Sequence, residues 1–166
     1  MKYAKAFFET LNFNSITVAP YMGEDSVRPF LEFYNKWAIV LGLTSNSGSG
    51  DFEQKKIGDE FLYETVLKTV SGWGTENNLM FVIGATKASG LEEIRKIIPN
   101  HFLLVPGVGF QGGSLSEVTK YGKNEQLGLL VNVSRAIIYA SEDENFATEA
   151  AEIAKQYAVE MKQLML

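Results

Sequence analysis

The stretch Phe102-Leu-Leu-Val-Pro-Gly-Val-Gly-Phe-Gln-Gly-Gly113 is an apolar run that stops at a proline and opens into a loop with four glycines. The loop leads into a helix N-terminus near Ser114, and Ser114 to Tyr121 has a helical pattern closed by Gly122. A second apolar run, Gly128-Leu-Leu-Val-Asn-Val133, follows and leads into Ser134-Arg135. Strand, glycine loop, helix and strand in that order form a βα unit that runs into the next strand.

The same alternation holds on the amino-terminal side. Ser15-Ile-Thr-Val-Ala19, Ala38-Ile-Val-Leu-Gly-Leu43 and Leu79-Met-Phe-Val-Ile-Gly-Ala-Thr86 are further short apolar runs. None alternates polar with apolar residues, which predicts strands buried on both faces in a parallel sheet covered by helices. Helical patterns separate them. Asp25 or Ser26 is placed to cap a helix through Lys36, with Pro29 in its first turn. Glu53 to Ser71 reads as one long helix closed by Gly72 and Gly74, and Ser89-Gly-Leu-Glu92 reads as a capping box. Asn145 to Leu166 reads as a terminal helix with Phe146, Ala150, Ile153, Ala154, Tyr157 and Met161 on one stripe. Ahead of the first strand, Ala4, Phe7, Phe8 and Leu11 mark an amphipathic helix.

One helix followed by five βα units fits two architectures. A doubly wound α/β sheet is complete at about 160 residues, whereas a (β/α)8 barrel usually needs about 250. The 166 residues therefore favour the doubly wound sheet on length alone. The net charge of −5 argues against nucleic-acid binding, which needs a basic footprint. Without Cys and with a single His, the chain has no disulfide, no thiolate nucleophile and no multi-His metal site. No apolar run reaches the length of a membrane span and no signal-peptide pattern is present, so a cytoplasmic location is expected.

In either architecture ligands bind at the carboxyl ends of the strands. The glycine loop of Gly107, Gly109, Gly112 and Gly113 lets backbone approach an anion, although it also reads as a tight turn needing positive φ. It lacks the Lys-Ser/Thr pair of a Walker loop, and it follows the fourth strand, which disfavours a dinucleotide fingerprint. Arg135 interrupts the apolar stretch Leu129 to Ala140, where it needs an anion, either a ligand phosphate or a loop carboxylate. Ser45, just past the second strand, can read an amide edge or cap a turn. Asp51 and Glu53 read as a solvated helix start, and Lys87 as a surface lysine directly after a strand. His101 precedes its strand and so belongs to the amino end, away from chemistry.

Four segments together resemble the orotidine 5′-phosphate decarboxylase family, in its longer bacterial subtype. They are Thr17-Val-Ala-Pro-Tyr-Met-Gly-Glu-Asp25, Leu43-Thr-Ser-Asn46, Val105-Pro-Gly-Val-Gly-Phe-Gln-Gly-Gly113 and Val131-Asn-Val-Ser-Arg135. The resemblance implies a partial TIM (β/α)8 barrel whose five parallel strands correspond to family strands four to eight. Ser45 matches the Ser that recognises the pyrimidine edge, Pro106 a wall near the base, Gln111 the Gln on the phosphate, and Arg135 the phosphate-binding Arg. Gly107, Gly109, Gly112 and Gly113 shape the phosphate loop. The family works without metal or cofactor.

Its catalytic signature, Asp-x-Lys-x-x-Asp, supplies the Lys that protonates C6 and the carboxylates around the leaving CO2. That signature does not occur in these 166 residues. The resemblance therefore implies a carboxy-terminal part of the family's length that binds orotidine or uridine 5′-phosphate and does not turn it over. Open strand edges predict a homo-oligomer. The competing expectation is a non-catalytic phosphate-ligand module on a doubly wound sheet.

Overall fold

The computed structural model describes residues 1–165 and, at Lys87, the backbone alone. Leu166, the last residue of the expected terminal helix, lies outside the described residues. Helix α1 (Lys2–Lys5) continues as a π-helical turn over Ala6–Thr10. Ala4 and Phe8 from the expected stripe are buried, while Leu11 beyond the turn is exposed. Then follow β1 (Ser15–Val18), α2 (Glu24–Leu31), β2 (Trp37–Leu43), a small hairpin of β3 (Lys56–Ile57) and β4 (Glu60–Phe61), and α3 (Leu62–Ser71). The second half runs β5 (Leu79–Ile83), α4 (Leu91–Ile97), β6 (Phe102–Pro106), α5 (Leu115–Gly122), β7 (Leu129–Asn132), α6 (Arg135–Ile138) and α7 (Phe146–Leu164).

The main sheet has five parallel strands in the order β1-β2-β5-β6-β7. A doubly wound sheet reverses its strand order at a switch point. Here each strand is laid beside its predecessor in one direction, so right-handed crossovers put the connecting helices α2 to α5 on one face. The sheet is a partial barrel, and the doubly wound alternative is excluded by strand order.

The core lies between that face and the helices. Val40, Phe81, Leu103 and Val105 meet Val27 of α2, Leu67 of α3, Leu91 and Ile94 of α4, and Val118 of α5, all fully buried. Each such side chain contributes about 2–3 kcal/mol by leaving water. The expectation of strands buried on both faces holds only in the middle of the sheet. Ile39 and Val82 on the helix-free face are buried, shielded by Leu41, Met80 and Leu104 around them. At the edges burial alternates, and Leu130 of β7 is half exposed. Trp37 and Phe102 meet edge-to-face at 6.3 Å across β5, at the amino end of that same face.

Three helical expectations need correction. Helix α2 is capped by Gly23 at φ 91°, not by Asp25 or Ser26; the Ser26 hydroxyl donates back to the Gly23 carbonyl at 2.6 Å. It ends at Leu31 instead of reaching Lys36, because Asn35 turns the chain left-handed at φ 54°. The stretch Glu53 to Ser71 is not one helix. Gly58 at φ 64° makes the turn of the β3–β4 hairpin, and the helix starts at Leu62, where Glu64 accepts the Phe61 N–H at 2.8 Å. Ser89 forms no capping bond, since a 3-10 turn over Ala85–Gly90 runs straight into α4. The helix expected from near Ser114 does start there, and the Ser114 hydroxyl caps α5 by accepting the Glu117 N–H.

Candidate functional site

Loops after β2, β6 and β7 gather at the carboxyl edge of the sheet. Ser45 stands two residues beyond β2. Its backbone packs on Gly84, where a Cβ would sit 2.7 Å from Ser45 N, and the Gly84 N–H bonds the Leu43 carbonyl at 2.7 Å. Glu53 fixes the other side. Its carboxylate accepts the Thr44 N–H at 2.6 Å and the Thr44 hydroxyl at 2.8 Å. Glu53 is therefore not a solvated helix start: the segment folds back so that a charged acceptor satisfies the end of β2.

The loop after β6 is held by its own backbone. The Gly109 N–H donates to the Gly113 carbonyl at 3.0 Å, the Gly112 N–H to the Gly109 carbonyl at 2.8 Å, and the Gly113 N–H to the Gly107 carbonyl at 3.2 Å. Those amides maintain the loop's shape and do not wait for an anion. Two glycines are required by close approach. Gly107 has φ 95°, and a Cβ there would lie 2.6 Å from Gln111 Oε1. Gly109 has φ 77°, and its Cβ would overlap the Tyr157 hydroxyl on α7. Tyr157, read from sequence as one residue of an apolar stripe, thus buttresses this loop.

Gln111 turns across the opening, and its Oε1 accepts the Ser45 hydroxyl at 2.8 Å. Its amide nitrogen keeps two donors. Arg135 begins α6 just beyond β7, with its guanidinium over the Phe110 ring at 4.5 Å. Among the described residues Arg135 has no ion pair, so the loop-carboxylate alternative fails.

A cleft of about 190 Å³ joins these groups, lined by Ser45, Pro106, Gly107, Gln111 and Arg135 together with Val108, Phe110, Asn132 and Ser134. Gly109, Gly112 and Gly113 shape the loop behind it. No carboxylate lines it, so Arg135 gives it a positive charge. The cleft is open to solvent and has room for an anionic group beside Arg135.

Other candidates lie elsewhere or undescribed. His101 sits at the amino end of β6, its ring 5.4 Å from Phe81. The side chain of Lys87 lies outside the described residues. Phe110 and Glu53 are site residues that sequence reading missed. An apolar residue in a glycine loop gives no signal, and Glu53 reaches Thr44 only because the hairpin replaces a helix.

The chain matches the model of the family described as Orotidine 5'-phosphate decarboxylase / HUMPS family over residues 1–151. It is 60% identical to an orotidine 5'-phosphate decarboxylase of Christiangramia forsetii over 166 residues, covering 98% of this chain and 61% of that relative. It is 56% identical to one of Phocaeicola vulgatus, covering 98% of this chain and 60% of the relative. Among solved structures, the OMP decarboxylase of Leishmania donovani superposes with a TM-score of 0.81 at 33% identity, over 98% of this chain and 62% of that one. The chain thus spans about 60% of the length of the curated relatives it matches.

Proposed function

The chain belongs to the orotidine 5′-phosphate decarboxylase / HUMPS family, and from that premise we propose that it carries the nucleotide grip of a decarboxylase site without the proton chemistry. The reaction is loss of CO2 from orotidine 5′-phosphate to give uridine 5′-phosphate. Arg135 takes the phosphate through its planar fork. Gln111, with Oε1 tied to Ser45, turns its amide nitrogen to the same anion. Ser45 keeps lone pairs for the pyrimidine edge, and Pro106 forms a wall beside the base.

One observation carries this reading. Ser45 and Gln111, 66 residues apart, meet at 2.8 Å beside an arginine that no carboxylate among the described residues neutralises. The Asp-x-Lys-x-x-Asp signature is absent from these 166 residues, so no group here is assigned to protonate C6. In the family, binding energy at a remote phosphate serves the reacting centre. This chain supplies that remote part.

Titration of the chain with uridine 5′-phosphate tests the grip. Arg135→Ala removes a charge-assisted contact and is expected to cost about 2 kcal/mol, roughly thirtyfold in affinity. Equal affinity of the two proteins refutes the assignment of Arg135.

A further inference from the structure

Phe110 is 61% exposed at the tip of the glycine loop. A single exposed phenylalanine needs no explanation. This one lies beneath a charge, with Arg135 Cζ 4.5 Å from the ring centroid, well inside the reach of about 6 Å for cation–π attraction. The two residues come from consecutive βα units, on the loops after β6 and β7. The Arg135 guanidinium makes no hydrogen bond or ion pair to protein among the described residues.

The choice of partner has a chemical consequence. A carboxylate in place of the ring would hold the guanidinium more tightly, but it would occupy the fork and cancel the charge. A ring offers no acceptor oxygen. It attracts the cation by its quadrupole and leaves both the charge and the N–H donors for another anion. Gln111 follows Phe110 directly and is held from the opposite side by Ser45. The loop tip is thereby fixed between Ser45 and Arg135 while both of its anion-seeking groups remain available.

We infer that Phe110 is a positioning residue for anion binding: its ring holds the Arg135 guanidinium at the cleft before a nucleotide phosphate arrives. The inference rests on the phosphate reading of the cleft. Preorganisation of this kind raises affinity by lowering the ordering cost of a flexible side chain. Its size follows the exposed cation–π interaction, a factor of about two to five.

The test compares the wild-type chain with Phe110→Leu, Phe110→Tyr and Arg135→Ala. Each is titrated with uridine 5′-phosphate and with uridine, and the Arg135 side-chain resonances are recorded without ligand. Leucine keeps an apolar side chain at an exposed position, so folding is not at issue. Phe110→Leu is expected to weaken uridine 5′-phosphate two- to fivefold, leave uridine unchanged and abolish the ring-current shift of the Arg135 protons. Phe110→Tyr restores both. The inference is overturned if Phe110→Leu binds uridine 5′-phosphate like wild type, weakens both ligands equally, or leaves the Arg135 resonances in place. If Arg135→Ala weakens the phosphate ligand and Phe110→Leu does not, only the inference falls. If Arg135→Ala has no effect, the phosphate reading fails and the inference fails with it.

Discussion

His101 buries an imidazole whose two nitrogens have no hydrogen-bond partner among the described residues. Burial pushes its pKa below the ordinary imidazole value; the Glu76 carboxylate opposes this and the Arg95 guanidinium adds to it. The unfolded chain takes up this proton near pH 6.5, the folded chain only at lower pH. Between the two values the unfolded state binds more protons, so stability falls as pH drops through that window. Between pH 7 and 5 the wild-type chain is expected to lose more Tm than His101→Leu. Parallel Tm profiles for the two proteins would contradict this. Single residues differ in how far sequence reveals them. Ser45 and Arg135 were legible as candidates because each follows a strand end, where parallel sheets bind ligands, whereas Gln111 was singled out by the family resemblance alone. Phe110 and Glu53 were not, because their roles come from contacts across separate loops, which no local pattern records.

At the scale of elements, Arg95 ties the amino edge of the sheet together. From α4 its Nε donates to the Gly122 carbonyl at 2.6 Å, Nη1 to His101 at 2.7 Å and Ile98 at 3.2 Å, and Nη2 to Gly128 at 2.9 Å. Burial lowers its pKa to about 10, and the guanidinium stays charged. One side chain thus joins the end of α5 to the starts of β6 and β7. Arg95→Ala strands these carbonyls and is expected to cost about 3 kcal/mol, seen as a Tm roughly 6–12 °C lower. An unchanged Tm would show that water replaces the guanidinium fully. Sequence placed all five main strands correctly, since continuous β-branched runs have few alternatives. It misread Glu53 to Ser71, where Gly58 was the available signal. An interior glycine costs a helix only about 1 kcal/mol relative to alanine, too little to outweigh an apparent pattern without tertiary contacts.

For the whole molecule, strand order decides the architecture; periodicity and length did not reveal it, and the family resemblance alone pointed to the partial barrel. A doubly wound sheet and a barrel segment share the same alternation of strands and helices, and the 166 residues favoured the first. The order β1-β2-β5-β6-β7 selects the second. Among the described residues β1 and β7 are the edge strands, and Leu130 is half exposed on the helix-free face. Exposed edges and apolar surface favour association. Sedimentation at micromolar concentration is expected to show a dimer or larger species, and a well-behaved monomer would contradict that. Equilibrium dialysis against orotidine 5′-phosphate labelled in its carboxyl carbon tests nucleotide binding and the lack of proton chemistry at once. The chain is expected to retain intact labelled ligand, Arg135→Ala to retain far less, and no labelled CO2 to appear. Release of labelled CO2, or retention indifferent to Arg135, would contradict this.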